Sequence, residues 1–208
     1  MMRLQLRELR DFSIAWILLA LAFTLFILSD MAGGGPLGYG PLLASGIVQT
    51  VFGGALVSVG VAFLVHELAH KLVAVHYDQI AEFRANYRML ALAVGAGLAG
   101  VLFAAPGAVH HRGYLTPREN ALIALAGPLS NVGLAGVFLP LLLLEGFLGD
   151  VGQLGVTFNA ALAGFNMIPF GPLDGKQVRA WSTRWFGLSF LLCAGLAVLA
   201  LVSVGLPY

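Results

Sequence analysis

The chain has 208 residues, 59% of them hydrophobic and only 10% charged, with a formal net charge of +1. Soluble globular domains carry about 25% charged residues, so this composition excludes a soluble enzyme and points to an integral membrane protein. The few basic residues form no stripe for a nucleic-acid partner, and the single cysteine, Cys193, excludes an intrachain disulfide or a Cys-rich metal site.

The basic N-terminus, MMRLQLRELRDF, precedes an apolar stretch over Phe12–Leu28. That order resembles a signal peptide, but the following SDMAGGG puts Asp30 at the −3 position of the best cut, so an uncleaved first span is expected. A spanning helix needs roughly 20 apolar residues. Further spans are predicted over Ile47–Val75, Ala121–Leu144, Val151–Ile168 and Trp185–Val204. The sixth apolar run, 89–106, has glycines at 95, 97 and 100 and ends in a Pro-Gly pair. Thr116-Pro117-Arg118-Glu119 reads as a capping box with proline at the first helical position, starting the third span. Small residues at 126, 127, 130, 133 and 136 are expected to let helices approach closely, as are Gly53, Gly54, Ser58 and Gly60. The expected fold is an all-α polytopic membrane protein of five to six transmembrane helices, a single domain over residues 1–208. Its catalytic core would cover about 47–178, with peripheral helices at about 12–28 and 185–204.

Charge distribution decides what run 89–106 does. With the N-terminus inside and this run not crossing, all 11 basic residues fall on one side, and the acidic loop EGFLGD falls on the other. That is the asymmetry of the positive-inside bias. If the run crosses, the split becomes six against five. The run is therefore expected to enter the membrane region and turn back, where non-helical backbone needs protein or a water-filled cavity around it.

Ionisable groups inside a span cost about 3 kcal/mol each on insertion scales and mark function. The second predicted span ends in HELAH, residues 66–70. His66 and His70, one helical turn apart, can share one metal ion, with Glu67 beside them as a general base; HExxH is the signature of zinc hydrolases. A catalytic zinc takes three protein ligands. His76 has the spacing of an extended HExxHxxGxxH pattern, but Val73 stands at its glycine. A continuous helix would turn His76 away. The better third ligand is Asp174 in FNMIPFGPLDGKQV, where Pro169 and Pro172 break the helix on the side where the HELAH helix ends. His110 and His111 are adjacent on an extended stretch, face opposite ways, and read as interfacial.

His66-Glu67-Leu68-Ala69-His70, then Ala126-Gly127-Pro128 with Asn131, then Asn166-Met167-Ile168-Pro169 running to Pro172-Leu173-Asp174-Gly175, resemble the site-2 protease family of intramembrane zinc metalloproteases. The resemblance covers roughly residues 50–178. It implies one zinc per chain on His66, His70 and Asp174, Glu67 as general base, and a membrane protein with a transmembrane helix as substrate. It also implies that run 89–106 is similar to a membrane re-entrant β-hairpin. Asn131 and Asn166 are candidates for the substrate backbone or oxyanion. Lys176 departs from the family, which often has a second glycine there, and no PDZ or CBS module is recognised. A multi-pass cell-membrane location with a cytoplasmic site opening is expected. The rival readings are a membrane zinc transporter and a catalytically inactive relative.

Overall fold

The chain, as a computed structural model, is described over residues 5–33, 39–102 and 106–205. Arg3 of the basic N-terminus and residues 103–105 of run 89–106 lie outside the described residues. The elements are α1 (Leu6–Met31), a short α2 (Tyr39–Ala44), α3 (Ile47–His76), β1 (Ile80–Ala85), α4 (Tyr87–Leu98) and β2 (Gly107–Arg112). There follow α5 (Pro117–Leu143), α6 (Phe147–Asn166), α7 (Gly175–Trp181) and α8 (Thr183–Ser203). Among the described residues, α1, α3, α5 and α8 are long and apolar enough to cross a membrane, against the five to six predicted. The predicted span 151–168 is present as the 20-residue α6. Its polar residues lower its apolarity, and they are bonded inside the protein. Gln153 donates to the Val204 carbonyl at 2.7 Å, Thr157 to Gly205 at 2.6 Å and Asn159 to Gly155 at 2.8 Å.

The start signal of α5 takes the form its residues dictate. Thr116 Oγ1 accepts the Glu119 amide at 3.3 Å while Glu119 Oε2 accepts the Thr116 amide at 2.8 Å, so the capping box at α5 closes. In α3, residues Leu56–Gly60 form a single π-helical turn. The Trp16 indole N–H donates to the Leu56 carbonyl at 2.8 Å. A Cβ on Gly60 would lie 2.1 Å from the Trp16 ring, so glycine is what lets α1 seat there. One extra residue rotates everything after it by about 100°, and such bulges often sit beside functional sites. Here the turn sets which face of α3 carries residues 66–70. Gly133 and Gly136, expected to pack closely, would meet nothing within 4 Å.

The predicted β-hairpin within 89–106 is corrected. The two strands flank that run instead: Ile80–Ala85 pairs antiparallel with Gly107–Arg112, Phe83 opposite Val109. The run itself begins as α4, because Asn86 accepts the Met89 amide and caps a helix. Gly97 and Gly100 serve helix packing and ending rather than a strand turn. A Cβ on Gly97 would lie 2.2 Å from the Ala22 carbonyl oxygen, so α4 lies tight against α1, and Gly100 ends the helical stretch at φ +70°. The Asn86 amide then meets the Pro106 carbonyl at 2.8 Å. The segment between the strands thus leaves and returns at one point.

An isolated two-stranded ribbon is marginally stable, so its neighbours must hold this one. Phe83 is fully buried, stacks on Phe12 at 4.3 Å and meets Phe63 edge-on at 5.7 Å. Polar ties come from the first turns of α1, where Glu8 and Asp11 are both buried. Glu8 forms an ion pair with Lys71 and also accepts the Phe83 amide at 2.9 Å. Asp11 accepts the Ala85 amide at 3.3 Å and the Tyr87 hydroxyl.

Candidate metal centre

His66 and His70 stand on one face of α3 with their ring centroids 4.6 Å apart. Each ring is oriented by its far nitrogen. His66 Nδ1 lies 2.6 Å from Asn131 Oδ1, and His70 Nδ1 lies 2.8 Å from the Ile123 carbonyl oxygen. The Asn131 amide orientation follows from its Nδ2, which donates to the Ala62 carbonyl at 3.0 Å and to Asn159 Oδ1 at 2.9 Å. Both Nδ1 atoms therefore face acceptors and carry the proton in the neutral ring, which leaves an Nε2 lone pair on each histidine.

Those lone pairs converge on a carboxylate. Asp174 Oδ2 lies 3.3 Å from His66 Nε2 and 3.4 Å from His70 Nε2. It is buried and makes no hydrogen bond. With neutral imidazoles no proton lies between the three atoms, so they repel one another until a cation joins them. The spacing suits a small one: a tetrahedron with its centre about 2.05 Å from each corner has edges of about 3.3 Å, and that radius is the zinc–nitrogen and zinc–oxygen bond length. Among the described residues, His66, His70 and Asp174 form a group whose ligand atoms all lie within 4.8 Å of one another.

Asp174 reaches this place because α6 stops at Asn166 and the chain reverses through Pro169, Gly171 and Pro172. Gly171 has φ +61°. A Cβ on Gly175 would lie 2.1 Å from the Met167 carbonyl oxygen, so the segment folds back against the end of its own helix. Asp174 precedes α7, a position where aspartate usually caps the helix, yet its side chain makes no capping bond. The carboxylate is turned to the histidines instead.

Gly127 of α5 crosses α3 at the imidazole tips. A Cβ there would lie 2.5 Å from His70 Nε2 and 2.6 Å from His66 Nε2. Gly127→Ala is therefore expected to cut zinc affinity at least as much as loss of a partner behind a ligand does, about 10–100-fold, although no ligand is touched. Isothermal titration of zinc into the purified variant checks this.

Glu67 lies between the two histidines in sequence, and its Oε2 accepts the Val109 amide of β2 at 3.1 Å. With the three metal-facing residues it lines a cavity of about 290 Å³ walled by β2, Phe158, Phe165, Pro172 and Leu173. Asn166 also lines that cavity and donates to the Leu162 carbonyl at 3.0 Å. Asn131, expected to meet substrate, is fully buried. Both of its polar atoms are taken, one by His66 and the other by Ala62 and Asn159. In this arrangement the Asn131 amide orients the His66 ring. Asn159, which no sequence motif marked, completes that network.

His76 ends α3 and packs on the Tyr77 ring at 5.2 Å, outside the metal-facing group. His110 and His111 do face opposite ways. His110 is exposed, whereas His111 lines the cavity, where burial holds its imidazole below the usual range. Gln177, one turn beyond Asp174, was also unmarked by any motif; its buried Oε1 has no partner among the described residues, and the residue lines the cavity. Lys176 is exposed. Cys193 is buried in a cluster with Ala163, Met167 and Val178.

Two relatives share much of this sequence. Over 133 residues, 62% of this chain and 70% of the relative, the identity is 47% to "Putative zinc metalloprotease MJ0611" of Methanocaldococcus jannaschii. Over 139 residues, 57% of this chain, it is 31% identical to "Putative zinc metalloprotease YwhC" of Bacillus subtilis, of whose length the match spans 64%. No family model and no solved structure matches the chain.

Proposed function

This chain belongs to the zinc metalloprotease family of those two relatives, and from that premise we propose that it is an intramembrane endopeptidase of the site-2 protease type. Its substrates are membrane proteins cut in or near a transmembrane helix. One observation carries this reading: the metal-facing histidines lie within a membrane-length helix. His66 and His70 are ten and six residues from the end of α3, so about 15 and 9 Å along its axis. The helix has 30 residues, about 45 Å, so a hydrocarbon slab of about 30 Å centred on it would take in His66 and have His70 near its edge.

His66, His70 and Asp174 would hold one zinc ion per chain. When bound, zinc supplies Lewis acidity toward the scissile carbonyl and lowers the pKa of water. Glu67 accepts the proton of the attacking water and returns it to the leaving amine. Asn131, with Asn159 behind it, and the Ile123 carbonyl keep both Nε2 lone pairs aimed at the site.

A peptide bond within an α-helix is shielded and already hydrogen-bonded, so the substrate must unwind. Residues of β2 border the cavity together with Pro172 and Leu173, and an unwound strand pairs by β-addition with β2 groups other than the Val109 amide, which Glu67 takes. In this reading α4 and the ribbon form the re-entrant element. Water enters past His111, Asn120 and Gln177, which line both this cavity and an adjoining one of about 570 Å³ bounded by Tyr114 and Trp181. Arg112, Arg118 and Arg179 flank that entrance in sequence, so the positive-inside bias makes it cytoplasmic.

The test is cleavage of a single-span substrate by the purified protein in liposomes, with the cut site mapped by mass spectrometry. Cleavage inside the span that stops with a zinc chelator and returns with zinc is expected. Cleavage of soluble peptides alone would overturn the intramembrane assignment, and zinc flux without cleavage would favour a transporter.

A further inference from the structure

In an antiparallel pair, alternate residues turn their amides out of the ladder. Phe83 and Ala85 of β1 and Val109 of β2 do so, and each of these three amides ends on a carboxylate. Glu8 Oε1 takes Phe83 at 2.9 Å, Asp11 Oδ2 takes Ala85 at 3.3 Å, and Glu67 Oε2 takes Val109 at 3.1 Å. The first two carboxylates belong to α1; the third is the general base. Phe83 and Val109 are direct partners in the register. They form a non-hydrogen-bonded pair, so Glu8 and Glu67 hold the two outer edges of one rung, and the ladder bonds of the flanking pairs Glu82–His110 and Arg84–Ala108 join those edges. Lys71, which pairs with Glu8, directly follows His70 and ties the Glu8 edge to α3.

We infer that Glu8 is a positioning residue for Glu67, acting through the ribbon, with Asp11 as its second anchor. The inference rests on Glu67 being the general base. The rings of Phe12 and Phe63 press β1 inward, but stacking contacts slide and do not set height along a strand. Hydrogen bonds do. By accepting the Phe83 amide, Glu8 sets the height of the ribbon beside α3 at which the Val109 amide meets Glu67 Oε2, so that one carboxylate oxygen is held. Asp11 does the same one step along β1. With Glu8 it occupies the outward amides of Phe83 and Ala85, so an incoming strand has to pair elsewhere on the ribbon. The N-terminal helix is in this way part of the catalytic arrangement rather than a peripheral span.

Two double variants separate the acceptor from the buried ion pair. Glu8→Gln with Lys71→Met keeps an oxygen for Phe83 and removes both charges; Glu8→Leu with Lys71→Met removes the oxygen as well. The Gln pair is expected to keep kcat close to wild type. The Leu pair is expected to lose kcat about 10²-fold, the cost of an ångström-scale misplacement, with KM and zinc stoichiometry unchanged. Hydrogen exchange at the Val109 amide of the zinc-loaded protein should quicken in the Leu pair only. That readout needs no cleavage, so it stays informative if the wild type proves inactive and the proposed function falls. Equal kcat and equal Val109 protection in the two pairs overturn the inference. Should either pair fail to fold, Asp11→Asn against Asp11→Leu repeats the comparison at the Ala85 amide without touching the buried pair.

Discussion

Glu67→Gln is expected to abolish peptide cleavage while leaving zinc bound at one ion per chain. Glutamine has the same shape, and its Oε1 can still accept the Val109 amide that Glu67 takes at 3.1 Å. What it lacks is basicity: an amide oxygen does not take a proton from water near neutral pH. Positioned general acid–base groups contribute about 10²–10⁴-fold, and in the proposed mechanism Glu67 serves both the uptake and the return of the proton. The fall in kcat should therefore reach at least the upper part of that range. The metal-facing atoms belong to His66, His70 and Asp174, so metal analysis of the variant should match wild type. Cleavage at the wild-type rate would remove Glu67 from the mechanism, and loss of zinc would make it a ligand.

Asp174→Ala should have the largest effect on the metal. It removes one of three donors and the only anionic one in the group. The purified variant is expected to retain almost no zinc after dialysis. A ligand that binds only the folded state adds stability as RT ln(1 + [L]/Kd), about 2.7 kcal/mol at 100 times Kd. Adding zinc should therefore raise the wild-type Tm in detergent and leave that of Asp174→Ala in place. A full complement of zinc in the variant would mean that another residue is the third ligand.

The boundary between legible and illegible features runs along sequence separation. Apolar stretches long enough to span, the capping box at Thr116–Glu119 and the single-face spacing of His66 and His70 depend on neighbours within one or two helical turns, so the amino-acid order alone determined them. The helix break at Pro169 and Pro172 is likewise local, since proline removes an amide wherever it stands. Run 89–106 shows where such reasoning fails. Its glycines are compatible with a tight turn or with a helix pressed on another, and the choice fell to Ala22, 75 residues before Gly97.

The tertiary structure alone decided what surrounds each chemical group. Asn131 reads in sequence as a polar residue among small ones; only the approach of α3 and α6 turned its amide to His66 and Asn159. Gly127 reads as a packing glycine until two imidazole tips from another helix occupy the place of its Cβ. Glu8 reads as a charge in a basic leader, yet its carboxylate meets residues 63 and 75 positions further along the chain. These roles arise where a buried polar atom must find a partner, and which partner lies within reach depends on how distant helices cross rather than on any local pattern of residues.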